Sequence, residues 1–141
     1  MIGGTRPIEV AAGLVFRDRK LLITRRLPEA HLGGLWEFPG GKREAGESFE
    51  QCLQRELVEE LGIEVEVHDM AEELTHHYAD RSVHLKFFRC RWLRHEPRAI
   101  LCHDFAWIGP EQLADYPFPA ADARLLEKLR AEWPQMAEFP D

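Results

Sequence analysis

The sequence predicts an α/β (α+β) domain in which helices pack on the faces of a β-sheet. Three observations lead there. Segments dense in Val, Ile and Leu open the chain, a capped helix with a four-residue leucine repeat follows near residue 50, and strand-like segments then precede a second long helical stretch. At 141 residues, 45% hydrophobic and 30% charged, the chain can bury one core, so a single domain over 1–141 is expected.

Taken in order, Ile8 to Phe16 reads as a strand, Asp18-Arg19 as a turn and Lys20 to Thr24 as the hairpin partner. Residues 28–47 contain Pro28, Gly33, Gly34, Pro39, Gly40, Gly41 and Gly46, which predicts a long loop. Trp36 and Phe38 predict that it is ordered, because aromatic side chains seek burial. Ser48 to Gly62 is the strongest helix. Ser48 and Gln51 form a capping box, Leu53, Leu57 and Leu61 make the buried stripe, and Gly62 provides a left-handed stop. Ile63 to Val67 reads as a short strand, and Ala71 to Tyr78 with Ser82 to Trp92 as a strand pair around Ala79-Asp80-Arg81. Phe105 to Ile108 is another strand and Pro110 to Ala114 a turn of helix. Ala120 to Trp133 is a long helix with Leu125, Leu126 and Leu129 inward, and the tail from Pro134 to Asp141 is expected to fray.

The charge of −7, from 18 basic and 25 acidic residues, argues against a nucleic-acid polymer as partner, since such binding needs clustered Lys and Arg. A small phosphate ligand accompanied by cations remains compatible. Cys52, Cys90 and Cys102 are odd in number and widely spaced, which suggests neither a disulfide framework nor a zinc ribbon and fits a reducing cytoplasm. The first residues lack the pattern of a signal peptide, and no apolar run is long enough to span a membrane.

The chemistry concentrates in Gly41 to Ile63. Glu56, Glu59 and Glu60 are spaced i, i+3, i+4, so they project from one side of the helix beside the leucine stripe. Two like charges 4 Å apart repel by about 4 kcal/mol at an effective dielectric of 20. Such a group either splays into water as an ordinary charged face or is compensated by a cation. Hard oxygen donors suit Mg²⁺ or Mn²⁺ rather than zinc, and Mg²⁺ commonly joins a few carboxylates to substrate phosphates.

The spacing from Gly41 through Glu47 to Arg55-Glu56-Leu57-Val58-Glu59-Glu60-Leu61-Gly62-Ile63 resembles a complete Nudix box. Seven fixed residue types in register arise by chance on the order of 10⁻⁸ per starting point. The likeness continues through Ile23-Thr24-Arg25-Arg26, His31, Glu37-Phe38-Pro39-Gly40-Gly41, Tyr78, Asp80-Arg81, Trp107 and Phe118-Pro119-Ala120-Ala121-Asp122. These resemble the MutT-type nucleoside triphosphate pyrophosphohydrolases, over a core of about residues 8–130. The resemblance implies an α/β/α sandwich around a mixed sheet. It implies that Glu56, Glu59, Glu60 and the Gly41 carbonyl hold Mg²⁺, that Glu56 also acts on the attacking water, and that an Arg55–Glu47 salt bridge fixes loop to helix. It implies hydrolysis of a nucleoside triphosphate to monophosphate and pyrophosphate, as in 8-oxo-dGTP sanitation. Arg26 is then expected to grip a phosphate or sugar oxygen, Tyr78 to stack on the base, and His31 to lie at the substrate site. The scattered His68, His76, His77, His84, His95 and His103 carry no metal-site signature.

Two positions depart from the MutT pattern. Leu101 stands where an acidic residue often precedes the Trp by six positions, with Asp104 nearby but out of register. Asp122 stands at the base-reading Asn position. A carboxylate accepts but does not donate, so Asp122 points toward an exocyclic amino group such as cytosine N4 and makes cytidine triphosphates the alternative substrates, whereas an Asp122 protonated by burial would also suit an oxidised purine. Other Nudix substrates, ADP-ribose and dinucleoside polyphosphates, fit the short chain less well. A silent nucleotide-binding module is disfavoured because Glu47, Arg55, Glu56, Glu59 and Glu60 are all present. The expected partner is a small nucleotide, with no membrane, acting as monomer or homodimer.

Overall fold

A computed structural model describes residues 6–140. Its strands are β1 (Ile8–Arg17), β2 (Lys20–Arg25), β3 (Trp36–Glu37), β4 (Gly40–Lys42), β5 (Glu64–His77), β6 (Ser82–Arg94) and β7 (Asp104–Ile108). Helix α1 (Phe49–Leu61) follows β4, and α2 (Ala123–Met136) follows β7 after two 3₁₀ segments, Pro110–Asp115 and Ala120–Asp122.

The strands form one mixed sheet. β1 and β6 run parallel, and every other pairing is antiparallel. Asp18 and Arg19 both adopt positive φ, the geometry of a two-residue hairpin turn, and start β2 back along β1. β1 and β2 then separate. β1 pairs with β2 only through Val15–Arg17, and β4 takes its place beside Val10–Ala12. On β2, Thr24 and Arg25 pair instead with Glu37 and Trp36 of β3. The glycine-rich segment is therefore wedged where the two strands part.

Alternation along β1 divides the core. Ala11 and Val15 face α1 with Cys52, Leu53, Leu57 and Leu61, whereas Ala12, Leu14 and Phe16 face α2 with Leu125, Leu129 and Trp133. One helix on each face gives the expected α/β/α layering. α1 begins with the anticipated capping box: the Gln51 N–H donates to Ser48 Oγ, and the Ser48 N–H donates to the Gln51 side chain. It ends at Gly62, with φ 71°.

Four expectations need correction. The 28–47 loop contains β3 and β4, too short for an alternating pattern and formed only because β1 and β2 leave backbone groups to pair. The two strands expected at Ile63–Val67 and Ala71–Tyr78 are one strand, β5, kept continuous by register shifts around Met70. Leu126 is only half-buried, unlike Leu125 and Leu129. The tail does not fray from Pro134. α2 kinks at Glu132, where the backbone leaves helical geometry, and runs to Met136. Met136 and Ala137 are buried, and Arg89 Nη1 donates to the carbonyls of Met136 and Glu138. All three cysteines are buried and free. No helix among the described residues is long and apolar enough to cross a membrane.

Candidate active site

Loop and helix are joined through Arg55. Its Nε and Nη2 donate to the two oxygens of Glu47 at 3.1 and 2.7 Å, a bidentate pair, and Nη2 also donates to the Lys42 carbonyl. The Glu44 N–H donates to Glu47 Oε1. Arg55 and this N–H hold the Glu47 carboxyl down at about 2. The remaining Arg55 nitrogen, Nη1, bridges Glu56 at 3.0 Å and Glu59 at 2.8 Å.

The three helix carboxylates differ in surroundings. Glu59 is exposed. Glu56 lies half-buried against Gly41, and a Cβ on that glycine would come within 2.2 Å of the Glu56 carboxylate. Burial raises the Glu56 pKa, and Arg55 opposes the rise. Glu60 is 7% exposed and turns toward the sheet, where it accepts a long hydrogen bond of 3.4 Å from the Gly40 N–H. Burial first, then the nearby charge of Glu37, push its carboxyl up to about 8. The carboxylates share a side of the helix as expected, but they do not converge. Among the described residues no three His, Cys, Asp or Glu side chains form a ready-made cage. Their repulsion is relieved by Arg55 and by the inward turn of Glu60.

These residues fit a hard divalent cation. The donors are all oxygen, Glu60 is buried with no cationic partner among the described residues, and the Gly41 cradle has room only because it lacks a Cβ. The Gly41 carbonyl accepts only a weak contact from Cys52 Sγ at 3.4 Å.

Glu56 and Glu60 open on a cleft of about 270 Å³ that also involves Arg26, Leu27, Glu37, Leu101 and Cys102. Arg26 follows β2 directly and is half-buried, with Nε 3.0 Å from Glu37 Oε1 and Nη1 donating to the His31 carbonyl at 2.8 Å. The His31 ring meets Tyr78 edge to face at 5.3 Å, and His76 also meets it edge-on, at 4.4 Å. Tyr78 is thus outside both core clusters and joins the β5–β6 hairpin to the β2–β3 loop. Asp122 immediately precedes α2, is 8% exposed, and makes no capping hydrogen bond. Burial raises its carboxyl to about 6, against the pull of Arg26; burial also raises Glu37, and the charge of Asp122 adds to that rise. Leu101 is 63% exposed at the cleft mouth, so the departure noted in the sequence places an apolar side chain there. Asp104 accepts from the neighbouring Phe105 N–H and is not part of the cleft. His68, His77 and His84 contact Glu66, Ser82 and Glu73, away from the carboxylates.

The sequence did not single out Glu37, which lines the cleft, or the buried Thr24 opposite it in the sheet. Both sit at polar positions on the α1 face of short strands, and Thr24 interrupts the apolar run Leu21–Ile23, which was the available signal.

A mixed sheet lies between two helices, and a carboxylate-bearing helix is clamped to a glycine-rich loop whose oxygen donors suit a divalent cation, the layout of a metal-assisted hydrolase. The sequence matches the NUDIX domain over residues 11–128, and the chain belongs to that family. It is 39% identical to the CTP pyrophosphohydrolase of Escherichia coli K12, over 88% of this chain and 92% of that one. It is 32% identical to the 8-oxo-dGTP diphosphatase of the same organism, over 89% and 98% of the two chains. The fold superposes on the solution structure of the E. coli ORF135 protein with a TM-score of 0.77, at 36% identity over 93% and 96%.

Proposed function

We propose that the protein hydrolyses (deoxy)nucleoside triphosphates to the monophosphate and pyrophosphate, with Mg²⁺ or substituting Mn²⁺, as a sanitising enzyme of the 8-oxo-dGTP type. The observation that carries this is the uncompensated, buried Glu60 beside the Glu56–Gly41 cradle at the floor of a cleft whose wall holds Arg26. In this reading Glu56, Glu59, Glu60 and the Gly41 carbonyl hold the metal. When bound, the metal polarises the phosphoryl oxygens, lowers the pKa of water and neutralises the leaving pyrophosphate.

The chain does the rest. Arg55 keeps the loop on the helix through Glu47 with Nε and Nη2, a hold that does not involve the Nη1 group bridging Glu56 and Glu59. Glu56, enclosed against Gly41, takes the proton of the attacking water on its carboxylate. Arg26, already oriented by Glu37 and the His31 carbonyl, holds a phosphate or sugar oxygen. Tyr78, braced by His31, stacks on the base. The domain works as one unit over 1–141, as monomer or homodimer, in the cytoplasm, where its free thiols stay reduced.

A second reading concerns the base. Asp122 is buried, lacks a capping bond, and is mainly ionised at neutral pH, hence an acceptor. That favours a base carrying an exocyclic amino group, which cytosine (N4) and guanine (N2) both have, and the likeness to the CTP pyrophosphohydrolase is what favours cytidine triphosphates. A panel of 8-oxo-dGTP, dGTP, CTP, 5-methyl-dCTP, ADP-ribose and a dinucleoside polyphosphate, scored for pyrophosphate against orthophosphate, tests both. A triphosphate should lead with pyrophosphate release, and tight binding without turnover would overturn the enzymatic reading.

A further inference from the structure

We infer that Thr24 is a positioning residue for Glu60: its hydroxyl is a hydrogen-bond donor kept inside the protein for the carboxylate when that carboxylate carries metal. This rests on the reading that Glu60 is a metal ligand.

Thr24 has no exposed surface, and its Oγ1 finds no hydrogen-bond partner among the described residues. A buried hydroxyl without a partner costs roughly 1–3 kcal/mol, a cost that a valine of the same shape would avoid. Its place in the sheet accounts for its direction. On β2 the side chains of Leu21 and Ile23 face α2 and that of Leu22 faces α1, so Thr24 faces α1. Its cross-strand neighbours are Glu37 on β3 and Phe105 on β7, and Phe105 packs in the α1 cluster. Thr24 Oγ1 faces the Glu60 carboxylate without forming an aligned hydrogen bond to it, and the donor that carboxylate does have is the Gly40 N–H at 3.4 Å. A carboxylate ligand has lone pairs beyond those given to its metal, and donors on them fix its orientation. The hydroxyl of Thr24 is the buried donor in reach that forms no other bond.

The test compares Mn²⁺ binding, followed by the loss of the free-ion EPR signal, and urea unfolding for wild type, Thr24→Val, Thr24→Ser and Glu60→Gln. Thr24→Val should bind Mn²⁺ about tenfold more weakly, the usual scale for losing an outer partner of a ligand. Its unfolding midpoint should stay equal or rise, because an unpaired hydroxyl is gone. Thr24→Ser, which restores the donor, should recover most of the affinity. A merely structural threonine predicts the reverse for valine, a lower midpoint with unchanged Mn²⁺ affinity. If Glu60→Gln weakens Mn²⁺ binding while Thr24→Val does not, this inference falls and the ligand assignment stands. If Glu60→Gln binds Mn²⁺ as wild type does, the ligand assignment falls and takes the inference with it. Equal loss in the valine and serine variants would also overturn it, since the hydroxyl would then not be the cause.

Discussion

The two helices have 13 and 14 residues and pack on opposite faces of one sheet, yet their N-terminal residues are used in opposite ways. At α1, Ser48 and Gln51 satisfy each other's backbone donors, and the helix ends on Gly62. The helix is finished by its own sequence and can carry three carboxylates without depending on them for order. At α2, Asp122 occupies the capping position but leaves the helix uncapped and keeps its carboxylate buried toward Arg26 and Glu37. A polar residue satisfied locally serves the fold, whereas one buried without local satisfaction is available to a ligand. Glu60 and Thr24 belong with Asp122 in this respect, and Ser48 does not.

The sharpest separation should come from the carboxylates of α1. In the proposed reading Glu59→Gln removes one ligand charge from an exposed position, so turnover should fall by about 1,000-fold while the circular dichroism spectrum and the melting midpoint stay near wild type. Excess chelator should abolish turnover of the wild type. Full activity in chelator would remove the metal from the account.

Two adjacent glycines sharpen the same contrast between fold and site. A Cβ at Gly40 would lie 2.0 Å from the Ala11 carbonyl oxygen, which is backbone and cannot yield, whereas at Gly41 it would strike the end of the Glu56 side chain. Gly40→Ala should cost about 3 kcal/mol of stability. Gly41→Ala should cost less than about 1 kcal/mol and yet reduce turnover by about 100-fold by displacing Glu56. Urea midpoints measured beside steady-state rates separate the two.

Asp122 should show itself in the pH dependence of stability. Its folded pKa of about 6 lies above the ordinary 3.8, so the protonated form is favoured in the folded state. Its favourable contribution is complete below about pH 4 and is lost as pH rises through 6, by at most about 3 kcal/mol. Asp122→Asn should therefore match wild type at pH 4 and exceed it at pH 7 in urea melts. In the triphosphate panel the same variant should move the preference away from cytidine, and an unchanged ranking would take Asp122 out of base selection. The smallest effect is expected at Ser48→Ala, which should lower stability by about 1 kcal/mol with no change in turnover per folded molecule.

Much of this was legible in the sequence because the relevant signals are local. Ser48, Gln51, the leucine stripe and Gly62 lie within one helix, and the i, i+3, i+4 carboxylates follow from its period. What escaped depends on distant partners. β3 and β4 exist because β1 and β2 diverge, which no property of Trp36-Glu37 or Gly40-Gly41-Lys42 announces. The order of the tail depends on Arg89, far away in the chain, and on the indole of Trp133 donating to the Arg19 carbonyl. Glu60 was placed on the correct side of α1, but its inward turn toward Gly40 and Thr24 is a tertiary fact. The comparisons place the chain in the NUDIX family, and burial distinguishes Glu60 from the exposed Glu59 on α1.

The insertion of β4 between the sheet's central strands also bears on how the protein ages under heat. The Gly41–Glu56 cradle is built on the hydrogen-bonded middle of the molecule and is not mounted on a peripheral flap, so it melts with the sheet. Inactivation on warming should therefore follow the same curve as global unfolding. Durability gained anywhere in the sheet should extend the enzyme's working life by the same measure.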